Sequence, residues 1–290
     1  MDTHINEIYS VILSLKTSIK IFKDEHEMLH KYRSELDSFI FRALESMYGK
    51  EQEKYWNSIE IPKVSDKAIC IVERRCHPNL KFCLQNAAYY ARGYSIRLFC
   101  SEANIDYINT ICGKQFDNIH VYPIFKDIGT PASGRKEYNE LLKSKKFWDT
   151  FTEEHILTIE TDTYFLKPIP ESVYSFDYIG SKWINQLDKP GGGGLTYRKL
   201  SVMKEILLLD NEELKIHEMQ DGFISHGIQL LDKKFPSAEE SYKYFIEGNF
   251  TEYIFKGSSV GVHQWWTFIS NLDEPSVLIL IERFLSLEKL

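Results

Sequence analysis

Apolar positions organise this chain before any motif does. Across residues 1–48, which contain neither Gly nor Pro, they fall at Ile5, Ile8, Ile12, Leu15, Ile19, Phe22, Leu29, Leu36, Ile40, Ala43 and Met47. That alternating three–four spacing follows one face of a helix, interrupted only at His26 and Arg33. It predicts one long helix or a broken pair, ending around Gly49, with the polar stretch to Pro62 as a connection. The stripe suits a coiled-coil seam joining a homo-oligomer, and it equally suits an amphipathic helix laid on the body of its own chain. Shallow membrane attachment fits less well, because the polar face mixes Asp and Glu with Lys.

From Lys67 the period changes. Short β-branched apolar runs at 68–72, 95–99, 119–124 and 156–159 alternate with helical patterns at 79–92, closing at Gly93, and at 136–151. Strands alternating with helices predict an α/β fold with a mainly parallel central sheet flanked by helices. Beyond Lys167 the regularity fades, punctuated by Pro168, Pro170, Pro190 and the glycine loop 191–194. The expected division is a helical N-terminal segment over 1–60 and one α/β domain over 61–290.

The fourth predicted strand runs straight into two carboxylates, Glu160 and Asp162. Residues two apart on an extended chain share a face, so both acids can converge on one hard cation. In open parallel sheets the ligand crevice lies outside the carboxyl ends of the strands, where these acids would sit. An isolated Glu-x-Asp is more often a solvated turn, but the residues downstream decide against that reading. The glycines 191–194, Gln220-Asp221, the turn Phe235-Pro236-Ser237 and the segment Gly261-Val-His263-Gln-Trp-Trp266 belong to the same pattern.

Composition narrows the alternatives. A net charge of −7 with no dense Lys/Arg block argues against a nucleic-acid surface. Five cysteines, an odd number without a Cys-x-x-Cys pair, indicate reduced and packed thiols, neither a disulfide framework nor a thiolate zinc site. No run reaches membrane-spanning length and no signal pattern opens the chain, so a soluble cytoplasmic protein is expected.

Together these residues resemble the glycosyltransferase A-type superfamily and, within it, the domain-of-unknown-function 5672 family. The resemblance covers roughly residues 67–270. It rests on Val72-Glu-Arg-Arg-Cys-His-Pro-Asn-Leu80, Tyr138-Asn-Glu-Leu-Leu-Lys-Ser144, Phe147-Trp148, Glu160-Thr-Asp162, Asp177-Tyr-Ile-Gly180 with Trp183, Gly191-Gly-Gly-Gly-Leu-Thr-Tyr-Arg198, Gln220-Asp-Gly-Phe223 and His263. This chain departs from the family pattern at Glu160, where the family has Gln, at Gly192, where it has Asn, and at Gln220, where it favours an acid. The first departure moves the motif toward the Asp-x-Asp form of metal-dependent members.

The resemblance implies a GT-A-like (Rossmann-like) fold and transfer of a sugar from a nucleotide-sugar donor, UDP-linked by superfamily habit, to a carbohydrate or other hydroxyl acceptor. It implies Mn²⁺ or Mg²⁺ held first by Asp162, with Glu160 at the metal, at a metal-bound water or at the ribose, and His263 as the third contact, to the metal or the diphosphate; a place for that imidazole in an aromatic core beside Trp265 and Trp266 is the competing reading. Glu73, Arg74 and Arg75, Thr161, and the face carrying Tyr138, Asn139 and Lys143 would meet the donor. A surface ion-pair cluster competes for the arginines and a solvated helix for Lys143. Gly193 and Gly194 would let the backbone approach sugar or phosphate, a flexible lid being compatible with this. Asp221 is the candidate general base, with Glu218 in reserve and a helix N-cap as the alternative role for Asp221. Inversion is favoured over retention. The rivals are a nucleotidyltransferase, which the lack of a Gly-rich basic loop after the first strand disfavours, and a non-catalytic carbohydrate- or nucleotide-binding scaffold.

Overall fold

A computed structural model describes residues 2–19, 25–183, 185–248, 252–255, 258–267, 269 and 272–290. Its centre is a six-stranded sheet built from β1 (Lys67–Val72), β2 (Ser95–Ser101), β3 (His120–Phe125), β4 (His155–Ile159), β6 (Tyr178–Ser181) and β7 (Gly192–Lys199), in the order β3-β2-β1-β4-β7-β6. The first four strands run parallel, and β7 is antiparallel to both β4 and β6. A second sheet joins β5 (Thr163–Phe165), β9 (Gly261–His263) and β8 (Phe245–Ile246) in that order. The mixed α/β class with a mostly parallel sheet is as the periodicity implies.

The central strands are apolar because helices cover both faces. Ile69 and Ile71 of β1 join a core with Leu84 and Ala87 from the helix Leu80–Tyr90, whereas Ala68 and Cys70 pack with Phe147 and Trp148 on the other face. Gly93, at φ +80°, turns that helix back into β2, a backbone conformation that side chains beyond glycine resist. The helix expected over 136–151 is two: Pro131–Leu142, opened by a reciprocal Thr130–Ser133 cap with Pro at its first turn, and the short Lys145–Trp148. The break falls at Lys143 and Ser144, and the Trp148 indole donates to the Leu142 carbonyl across it, 2.8 Å.

At the N-terminus the pattern forms a broken pair, Asp2–Ile19 and Glu25–Leu44. Ile5, Ile8, Ile12, Leu36, Ile40, Ala43 and Leu44 are buried in the main core of their own chain. Phe41 anchors the second helix, its ring edge-on to Phe82, Tyr164 and Trp266 at 5.8, 5.9 and 6.2 Å. The stripe is therefore covered by the chain's own body at these positions; the side chains of Leu15, Ile19, Phe22 and Leu29 lie outside the described residues. The expected stop at Gly49 is not one. Gly49 keeps helical angles (φ −57°, ψ −41°), and a π-helical turn, Glu45–Gly49, leads on into the helix Lys50–Trp56. Burial of Trp56, whose indole donates to the Cys112 carbonyl at 3.1 Å, outweighs the modest helical cost of one glycine.

Just before β4, the buried Glu153 is clamped by the buried Arg97 of β2 at 2.8 and 2.9 Å and by the Ser95 hydroxyl at 2.6 Å. All five cysteines are free thiols, four of them buried and Cys76 exposed. Among the described residues no helix is long and apolar enough to cross a membrane.

Candidate functional site

After Ile159 the chain leaves the central sheet and enters β5 of the small one, so Glu160, Thr161 and Asp162 occupy the crossing turn at the carboxyl end of β4. The register of the small sheet sets Thr163 opposite His263. His263 Nε2 thereby stands 3.1 Å from Asp162 Oδ1 and 3.7 Å from Glu160 Oε2. The three side chains can offer ligand atoms all within 4.8 Å of one another. Gln264 clips the turn from the other strand: its amide N–H donates to the Asp162 carbonyl at 3.2 Å, and its side chain donates to the Asp162 carboxylate. Gln264 adopts φ +45°, an uncommon conformation for a residue with a side chain and a sign of local constraint beside His263. Trp265 and Trp266 are the ones in the aromatic core, against Phe284 and Phe41; His263 turns toward the acids.

The loop expected at the four glycines is largely a strand, for Gly192, Gly193 and Gly194 open β7, which lies beside the end of β4. Their lack of side chains has a direct cause. A Cβ on Gly192 would stand 2.7 Å from the Cβ and Cγ of Asp221, and one on Gly194 would stand 2.5 Å from His263 Nε2 and 2.9 Å from Glu160 Cδ. On Gly193 it would collide with the Glu247 carboxylate, and there φ is +104° as well. The strand's bare backbone is the floor on which the acids and the imidazole rest.

Asp221 reaches this floor from the first turn of the helix Gln220–Leu230, whose N-cap is Met219; Asp221 is not the cap. It accepts from the Gly193 amide and from the Gln220 side chain, which in turn accepts from Arg198 at 2.9 Å. Asn139 and Lys143 secure the start of that helix. The Asn139 side-chain oxygen accepts the Gln220 amide at 2.7 Å, and the Lys143 ammonium donates to the carbonyls of His217 and Glu218 at 3.0 and 2.7 Å. The Glu218 side chain is exposed. Tyr138, one residue from Asn139, is a hydrogen-bonding neighbour of Glu160.

At the end of β1 the charged triplet divides. Glu73 is buried and holds Arg75 through both carboxylate oxygens, at 2.8 and 2.7 Å, while accepting the Thr161 hydroxyl at 3.2 Å. The Arg75 side chain remains largely exposed and lies within electrostatic range of Asp162 and Glu160. Arg74 is committed elsewhere: its guanidinium stacks over Phe125 at 4.3 Å and donates to the Asp127 carbonyl and to Glu137.

Glu160 and Asp221 resist ionisation. Burial pushes the Glu160 carboxyl up to about 7, with Asp162 adding to the effect and His263 opposing it. Burial likewise lifts Asp221 to about 6; Arg198 pulls it back down and Glu247 raises it again. For His263 burial alone would lower the pKa, yet Asp162 and Glu247 outweigh it and hold the imidazole well above its ordinary value. Glu247 escapes a reading of the sequence. It stands 3.3 Å from His263 Nδ1, and its only sequence signal is a position just after the short strand β8.

What the fold and these residues define is an α/β protein with a carboxylate–imidazole site at the carboxyl end of its parallel strands, where the chain passes between two sheets. Two carboxylates and an imidazole, seated on a backbone floor, could hold a divalent metal ion. The chain is similar over residues 125–263 to the family described as protein of unknown function (DUF5672). That span is narrower than the one expected, beginning at the end of β3 and closing on His263, so it takes in the acidic turn, the glycine floor, Asp221 and Glu247 but leaves out Glu73–Arg75 and the N-terminal helices. No curated protein matches the chain.

Proposed function

We propose that this chain is a metal-dependent glycosyltransferase of GT-A-like fold, moving a sugar from a nucleotide-sugar, UDP-linked in the first instance, to a hydroxyl acceptor. The observation that carries the reading is the convergence of Glu160, Asp162 and His263 at the carboxyl end of β4, with a separate carboxylate, Asp221, further along the same glycine floor. A divalent cation bound there would offset the negative charge that builds on a departing nucleoside diphosphate.

The residues divide the remaining work. Arg75, tethered by Glu73 yet open to solvent, would meet a phosphate oxygen. Asp221, with a carboxyl near 6, is ionised at neutral pH while still basic enough to take a proton. In the reaction the acceptor oxygen bonds to the anomeric carbon, the bond from that carbon to the diphosphate oxygen breaks with its electron pair, and the acceptor's proton goes to Asp221. Gln220 and Arg198 hold that carboxylate in place, and a single displacement of this kind would invert the anomeric centre.

Calorimetric and thermal-shift titrations with nucleoside diphosphates and nucleotide-sugars, each with Mn²⁺, with Mg²⁺ and with chelator, test the proposal. Cation-dependent binding of one nucleotide series is the expected result. Failure of every member to bind would leave a non-catalytic scaffold as the better reading.

A further inference from the structure

We propose, resting on the cation-dependent reading above, that Glu247 is a positioning residue that keeps the ring proton of His263 on Nδ1, so that Nε2 meets the cation as a lone pair. The small sheet delivers it there. Phe245 and Ile246 of β8 pair in parallel with Gly261 and Val262 of β9, and the same register carried one residue further sets Glu247 beside His263. The imidazole is held from both sides, with Asp162 Oδ1 3.1 Å from Nε2 and Glu247 Oε1 3.3 Å from Nδ1. Gly193 makes the room, since a Cβ there would occupy the place of the Glu247 carboxylate.

Two neighbours compete for Nδ1. The Gly194 amide, 3.2 Å away, can only donate to it, whereas the Glu247 carboxylate can only accept from it. A ring able to coordinate a cation is neutral and has one ring proton. If Gly194 prevails, that proton sits on Nε2 and points at Asp162, where it blocks a bond to a cation. If Glu247 prevails, Nε2 is free to coordinate. Cation binding therefore selects the Glu247 arrangement, in keeping with the general habit of metal-binding histidines to donate their other N–H to a carboxylate.

The test combines calorimetric titration with Mn²⁺ alone and ¹⁵N NMR of histidine-labelled protein loaded with diamagnetic Zn²⁺. Glu247→Ala is expected to lose about 10- to 100-fold in Mn²⁺ affinity and, in the Zn²⁺-loaded protein, to lose the hydrogen bond from the His263 Nδ1–H, seen as a shifted and faster-exchanging Nδ1 proton. Glu247→Gln keeps an accepting oxygen and should stay within roughly threefold of the parent, with the proton on Nδ1. Should the alanine variant not fold, Glu247→Met supplies comparable volume without an acceptor. Unchanged Mn²⁺ affinity on removing the acceptor, with affinity lost in His263→Ala, would overturn the role of Glu247 and leave the cation site standing. Absence of Mn²⁺ binding in the parent chain would overturn the cation reading and this inference with it.

Discussion

Two charge clusters bracket β4, one on each end, and they are built on opposite principles. Before the strand, Glu153 and Arg97 form a buried pair of one anion and one cation, and Ser95, Thr150 and Thr152 supply further hydrogen bonds. Although burial raises the Glu153 pKa, the hydrogen bonds from Arg97 and Ser95 win, and it ends below the usual carboxylate range. After the strand, Glu160, Asp162 and Glu247 surround one imidazole, and Glu160 ends up near 7. The first cluster has satisfied its charges internally. The second is arranged so that an added positive charge would relieve it, as the proposed cation site requires.

The contrast can be broken most forcefully at Glu153. Glu153→Ala strands the buried Arg97 and should cost about 3–5 kcal/mol in denaturant unfolding, whereas a near-neutral result would mean the pair is not structural. Asp162→Ala should do the reverse. Turnover falls by about 100-fold or more while the melting temperature holds or rises; a loss of stability rivalling that of Glu153→Ala would erase the distinction between the two clusters.

Smaller effects sharpen it. With a carboxyl at about 6 in Asp221 acting as base, kcat/KM should fall on the acid side of pH 6, dropping about tenfold by pH 5. Asp221→Asn should show a flat profile there at a much reduced rate. Glu160→Gln offers the most delicate readout. A carboxyl whose folded pKa is near 7, against an ordinary 4.5, binds more protons folded than unfolded between those values, so the native chain loses stability as pH rises from 4.5 to 7. In chelator at pH 8 the glutamine variant should therefore melt roughly 1–3 °C higher, allowing for screening of a side chain that is 34% exposed, and the gain should vanish below pH 4.5. A gain that persists in acid would point to packing instead of charge.

How far the sequence disclosed this arrangement depended on distance along the chain. The apolar runs of β1 to β4 were legible because a strand buried on both faces needs nothing beyond its own residues to be apolar, and Glu160 with Asp162 lay only two positions apart at its end. The glycines were visible, but their reason was not: Gly192, Gly193 and Gly194 are small because Asp221, Glu247 and His263 press on them from segments far away in sequence. Glu247 itself follows a strand of two residues and left no periodic trace. Arg74 and Arg75, adjacent and chemically identical, could not be separated until the loop carrying Asp127 and the helix carrying Glu137 took one of them. Gly49 misled because a helix stop is a local preference, and the tertiary contact that overrides it, Trp56 against Cys112, is not local.

The distribution of thiols has a practical consequence for watching the site in real time. Burial pushes Cys70 and Cys112 up to about 12, Cys100 to about 11 and Cys83 well above its ordinary value, which leaves these four poorly nucleophilic as well as inaccessible. Cys76 is exposed and directly follows Arg75, whose guanidinium lies in the field of Glu160 and Asp162. A maleimide dye would thus attach at one place in the native protein without any engineering, and its emission would test whether a cation or nucleotide reaches the acidic turn.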